Sequence, residues 1–199
     1  GLGDVYKRQV IIMPLPQPSP RKHMHTRSIS YRGYQREDGL WDIEAHMTDT
    51  KTYSINNNWR GEIAVGEPLH EMLVRITVDN NFIIQDVWAK TENGPFEMCP
   101  EIAPAYKALT GIQMGPGWRK SIRQKVGGVQ GCTHLTELLF PMATVAMQTI
   151  WPLQSKAQKK EGKKLAPDKA PKILNTCHAW DTSSPVVKEN VPKYYTGND

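Results

Sequence analysis

Between residues 41 and 48 apolar and polar side chains alternate strictly, with Trp41, Ile43, Ala45 and Met47 on one parity and Asp42, Glu44, His46 and Thr48 on the other. Successive side chains of an extended chain point to opposite sides, so this period of two predicts a strand with one core face and one polar face. The preceding Thr26–Tyr34 run is rich in β-branched and aromatic residues. The Asp38-Gly39 pair between them tolerates positive φ, and a hairpin is predicted. Two further runs, Leu69–Val78 and Phe82–Lys90, flank Asp79-Asn80-Asn81 and predict a second hairpin, in which His70 shares a face with Met72, Val74, Ile76 and Val78. The stretch between the hairpins, with Asn56, Asn57, Asn58, Gly61 and Gly66, reads as a loop. An antiparallel sheet of about four strands is expected over residues 25–91.

After Gly94-Pro95 the period changes. Ile102, Ala105, Tyr106 and Leu109 recur at intervals of three and four and predict a helix closed by Gly111. Trp118–Val126 reads as a second, basic helix ended by Gly127-Gly128. The third and longest begins at Cys132 or Thr133 and runs to about Trp151. Its apolar stripe is Leu135, Leu138, Leu139, Met142, Ala146 and Ile150, and Pro141 is a predicted kink. Strands first and helices afterwards predict an α+β fold, with about three helices packed on one face of the sheet. Ahead of it, Pro14, Pro16, Pro18 and Pro20 predict an extended lead-in over residues 10–24. Gly1–Gln9 reads as translated adapter sequence. The reading is one domain over residues 25–196, carrying a lysine-rich loop at 154–172.

Composition and charge narrow the function classes. A chain of 199 residues with 39% hydrophobic content suits one globular domain. Its longest mostly apolar run, Leu138–Trp151, is too short for the roughly 20 residues that span a bilayer, so no membrane segment is expected. Three widely separated cysteines make no disulfide framework, and a reducing cytoplasm fits them best. The formal charge of +5 is segregated: +6 over residues 1–36, −9 over 37–101, +9 over 102–172 and −1 over 173–199. The lysines at 156–172 have no aromatic among them, whereas nucleic-acid binding interleaves the two. They read as a solvated loop, and the basic helical half predicts a small anionic ligand.

Several residues can carry chemistry. Cys132 lies in Gly127-Gly128-Val129-Gln130-Gly131-Cys132-Thr133-His134, a glycine-rich approach to a helix start, where free amides and the helix dipole stabilise anions and thiolates. It can be a nucleophile, a metal ligand or a small buried residue beside a helix cap. On the first reading Cys132, His134 and His70 are the catalytic candidates, with Gly131 and Arg119 binding an anion. The rival reading is a zinc or iron–sulfur centre held by Cys99, Cys132, His134, Cys177 and His178, or a structural module that meets a protein partner. The closely spaced ligand pair that usually marks such a centre is absent. Asp42, Glu44 and His46, with Asp38 and Asp49 near the strand ends, form a row that is either a secondary acid/base or cation site or the solvated side of an edge hairpin. The solvated side is favoured.

The runs DGLWDIEAHMTDTKTY at 38–53, PLHEMLVRITVD at 68–79, Cys99-Pro100, GWRKSIRQKVGGVQGCTHLTELL at 117–139 and CHAW at 177–180 together resemble the bacterial domain of unknown function 2889. The resemblance covers about residues 21–196. It implies a cytoplasmic domain whose marked polar positions match Asp38, Asp42, Glu44, Asp49, His70, Cys99, Cys132, His134, Cys177 and His178, and it carries no assigned activity. A second similarity is to iron–sulfur scaffold proteins, where a hairpin like LVRITVDNNFIIQDVWAKT leads to a glycine-cysteine helix start like GCTHL. The cysteine order here differs from theirs.

Overall fold

The computed structural model describes residues 16–160 and 173–198, with side chains up to residue 156 in the first stretch. The expectations for residues 1–15 and for residues 161–172 of the lysine-rich segment fall outside the described residues. By its contacts the chain divides into two compact units, residues 1–150 and 151–199.

The first unit holds the predicted sheet. Strands β1 (His25–Gln35), β2 (Trp41–Lys51), β3 (Ile55–Asn57), β4 (Gly61–Ile63), β5 (Pro68–Val78) and β6 (Ile84–Asn93) form a four-stranded antiparallel sheet in the order β1-β2-β5-β6 and a separate β3-β4 ribbon. The ribbon occupies the stretch read as a loop. Its three-residue strands are too short for alternation to show, and the turn needs Gly61 at φ +76°. Two antiparallel hairpins with polar turns, Arg36–Leu40 and Asp79–Ile83, close the same end of the sheet.

Parity decides the faces as predicted. Trp41, Ile43, Ala45 and Met47 of β2 and Met72, Val74, Ile76 and Val78 of β5 are buried under the helical layer. That layer has three parts. Residues Cys99–Leu109 form 3-10 turns rather than the α-helix their spacing suggests, because Pro104, inside the segment, lacks the amide an α-helix would use there. Helix α1 spans Trp118–Val126 and buries Trp118, Ile122 and Val126. Helix α2, Thr133–Lys160, buries the whole predicted stripe from Leu135 to Ile150. It continues past Trp151 through residues 154–160, where the sequence suggested a loop, and it runs through both Pro141 and Pro152.

Helix α2 lies along β1 in the same direction. Glu137 bonds Arg27, Tyr31 Oη donates to the Leu138 carbonyl at 3.3 Å, and Thr149 crowds Gly33. Twelve helical residues rise about 18 Å and six strand residues about 20 Å, so the two elements stay matched along their length. The first turn of α2 therefore sits at the end of the sheet where β1 begins, β2 ends and β5 begins.

In the second unit, helix α3 (Pro185–Asn190) is capped by Ser184, whose Oγ accepts from Val187 N at 3.2 Å, and Val187 is buried. Among the described residues no helix is long and apolar enough to cross a membrane.

Candidate functional site

The open end of the sheet gathers a polar cluster on the otherwise apolar face. Register pairs Arg27 of β1 with Asp49 of β2, and Asp49 with His70 of β5, so three core-facing positions form a row across the strands. A register irregularity between Asp49 and Thr50 ends the regular pairing there. Asp49 shares the parity of Trp41 and Met47, and its side chain is only 4% exposed.

Every lone pair of the Asp49 carboxylate is engaged. Arg27 grips it bidentately, Nε to Oδ1 and Nη2 to Oδ2, both at 2.8 Å. His25 Nε2 lies 2.9 Å from Oδ1 and His70 Nδ1 3.1 Å from Oδ2. Arg27 also donates to Glu137 of α2 at 2.9 Å. From the first turn of α2, His134 stacks on His70 with ring centroids 3.9 Å apart and a tilt of 33°, and its Nε2 lies 4.0 Å from Asp49 Oδ2. Its Nδ1 faces Cys132 Sγ at 4.0 Å.

These contacts fix the charge states. Burial pushes the Asp49 carboxyl up, but the hydrogen bonds from Arg27 and His25 and the charge of Arg27 outweigh it. The group stays ionised far below the usual carboxylate range. Burial lowers His70, and His134 lowers it further, against the pull of Asp49. Burial and then the Arg27 charge lower His134, against Asp49 and Glu137. Both imidazoles are therefore neutral at pH 7. In its neutral form His70 donates from Nδ1 to Asp49 and keeps Nε2 as a lone-pair nitrogen, without a partner among the described residues.

The Cys132 turn is built from below. Tyr106 is fully buried; its Oη accepts from Cys132 N at 3.0 Å and lies 2.9 Å from Cys132 O and 2.8 Å from Thr136 Oγ1. The first intrahelical bond is Thr136 N to Cys132 O at 2.9 Å, which leaves the amides of Thr133, His134 and Leu135 ahead of it. Glycine at 131 has a packing cause. A Cβ there would lie 2.1 Å from the Val126 carbonyl oxygen, so the residue serves close approach of the α1 end rather than of a ligand.

Of the expected residues, Cys132, His134 and His70 come together. Arg119 does not join them: its guanidinium lies over the Phe140 ring, 5.2 Å from the centroid, two turns along α2. Asp42, Glu44 and His46 occupy the opposite face of the sheet, each with a partner. Thr77 donates to Asp42 at 2.6 Å, Arg75 pairs with Glu44 at 2.7 Å and His46 with Glu71 at 2.9 Å. This is the solvated face, although β2 is an interior strand rather than an edge. A concavity of about 250 Å³ on that face is lined by Glu44, His46, Arg75 and Trp88, among others. Cys99 starts the 3-10 segment and packs against Gly94. Cys177 and His178 belong to the second unit, where Cys177 is exposed.

The ligand-type atoms of Asp49, His70 and His134 all lie within 4.8 Å of one another, and neither Cys99 nor Cys132 belongs to that group. Sequence reasoning missed Arg27 and His25 altogether and placed Asp49 on the wrong face. Parity was the available signal: 49 continues the 41, 43, 45, 47 series, and an acid on a core face needs a partner.

A family model described as "Protein of unknown function (DUF2889)" matches residues 25–148, a span that contains every member of the cluster. No curated protein matches the chain, and neither does any solved structure.

Proposed function

Because the chain belongs to the DUF2889 family, whose description assigns no activity, function has to be read from the site, and we propose a small-molecule enzyme or ligand-binding domain acting on a carboxylate or thioester. The observation that carries this reading is the convergence of an Asp49-oriented neutral His70, a stacked His134 and Cys132 at the start of α2. Each part has a role. The ionised Asp49 holds His70 in one tautomer, so that Nε2 can accept a proton. His134 is placed to take the Cys132 proton once a side-chain rotation shortens their 4.0 Å contact.

Attack of Sγ on a thioester carbonyl would form the C–S bond of a tetrahedral adduct. Its oxyanion would meet the amides at the α2 start, collapse would expel the departing thiolate with a proton from an imidazole, and water activated by the freed imidazole would release the acyl group from Cys132 as a carboxylate. The same amides bind a carboxylate without chemistry. The reading sets the domain in the reducing cytoplasm, where its free cysteines stay thiols.

The test uses chelator-treated protein and a panel of short acyl thioesters and carboxylates. We expect the ligands to slow alkylation of Cys132 but not of Cys99 or Cys177, and any thioester turnover to disappear in Cys132→Ser and fall in His70→Gln. Failure of every ligand to protect Cys132, with no turnover, would overturn the reading.

A further inference from the structure

Two imidazoles and a carboxylate from three separate elements meet at one point, and this ligand set is also the one that divalent first-row transition cations take. We propose that Asp49, His70 and His134 form a three-ligand site for such a cation, of which Zn²⁺ is the probe of choice, and that its occupation regulates the site by withdrawing both imidazoles from proton transfer. The second half rests on the function proposed above; the first does not.

The three ligand atoms lie within 4.8 Å of one another, and the stacked imidazoles need only turn toward a common point. Two ligands each about 2.0–2.1 Å from a tetrahedral ion lie roughly 3.3–3.4 Å apart. His70 Nδ1 and Asp49 Oδ2 stand 3.1 Å apart and need open only by a few tenths of an ångström. His134 Nε2 stands 4.0 Å from the same oxygen, so it closes by less than an ångström. The ion takes the place of the hydrogen between His70 and Asp49. That proton moves to Nε2 of the same ring, and the protein releases none. Arg27 and His25 keep their bonds to Asp49 and hold it as outer partners, as ligating carboxylates usually require. The guanidinium at 2.8 Å also weakens the carboxylate as a ligand, so the site should bind reversibly rather than as a permanent structural centre. Two nitrogen donors select against Mg²⁺ and Ca²⁺, which take oxygen. Three protein ligands leave a coordination position open.

The experiment titrates Zn²⁺ into the full-length, chelator-treated protein against a chromophoric competing chelator, with Mg²⁺ and anaerobic Fe²⁺ as parallel arms. One equivalent of Zn²⁺ should bind, with affinity down by roughly 100-fold or more in both His70→Ala and His134→Ala, given that even outer-shell changes cost 10–100-fold. Cys132→Ser should bind as the wild type does, and Mg²⁺ should not compete. Circular dichroism confirms that each variant folds. His134 is a surface-accessible position whose removal the fold should tolerate, and it carries the test if His70→Ala unfolds. No stoichiometric binding by the wild type, binding unchanged in the histidine variants, or binding lost in Cys132→Ser would each overturn the assignment. Because the readout is metal content and not turnover, the site stands or falls independently of the Cys132 chemistry. Alkylation of Cys132 and turnover in metal-free protein judge that reading alone.

Discussion

Replacing Asp49 by Asn keeps the volume and removes the charge, which isolates what the carboxylate does. The native group receives two hydrogen bonds from Arg27 and one each from His25 and His70. Asn offers one oxygen to these donors and turns an amide against the rest. Removing one partner of a fully buried ion pair costs about 3–5 kcal/mol, because the remaining charge is left desolvated. Arg27 is 32% exposed and keeps Glu137 at 2.9 Å, so water and the second carboxylate offset part of that cost. We expect Asp49→Asn to destabilise the chain by about 2–3 kcal/mol in urea unfolding at pH 7, at the low end of that range or below it. Glu44→Gln is the control, since it breaks an exposed cross-strand pair on the other face and should stay within about 1 kcal/mol. The acid limb gives an independent check. The folded Asp49 carboxyl sits below its unfolded value of about 3.9, so its stabilisation is complete above that pH and drains away as pH falls toward the folded value. The gap between wild type and variant should therefore be steady near neutrality and narrow in acid. A gap at pH 7 no larger than that of Glu44→Gln would refute the argument.

Two further outcomes follow from the same geometry. Gly131→Ala should lower stability by about 1–3 kcal/mol in thermal or urea unfolding, because the new methyl meets the Val126 carbonyl and cannot move away by rotation; a neutral result would mean that the α1–α2 turn is looser than described. His70 is held below its unfolded value near 6.5, so the unfolded chain takes up protons first, and the benefit of the buried neutral ring is complete above that pH and lost below it. Wild type should consequently lose more stability between pH 7 and 5 than His70→Gln does, and equal slopes would argue against a buried neutral imidazole.

Which parts of this were readable beforehand depends on how local the signal is. The two faces of β2 and β5 and the buried stripe of α2 follow from parity and helical spacing within one element, and each residue of those sets is where its neighbours predicted. The 3-10 character of Cys99–Leu109 was also readable in principle, since Pro104 removes a donor inside the segment, but apolar spacing masked it. The cluster was harder. Arg27 and Asp49 are 22 residues apart, and Asp49 and His70 a further 21. They become neighbours only once strand order and register are set, which no single segment encodes. Cys132 and His134 stood out because their chemistry is concentrated in one turn. The β3-β4 ribbon left no trace, its strands being shorter than one full alternation.

Gly33 sits at the other end of β1 from the cluster, and its significance is mechanical. A Cβ there would lie 2.0 Å from Thr149 Oγ1, so the absence of a side chain sets how low α2 can ride on the sheet. The helix is in effect a lever: Gly33 and Thr149 form its seat at one end, and His134 is the tip at the other, where the tolerance is the difference between 3.9 Å stacking and no contact. Close-packed interiors transmit displacement instead of absorbing it. A methyl group added at the seat would press on Thr149 and load the helix or the edge strand β1 at that end. The seat and the tip lie some 20 Å apart along one helix, so the clearance at Gly33, a residue with no polar atom beyond its backbone, bears on the alignment of the imidazoles.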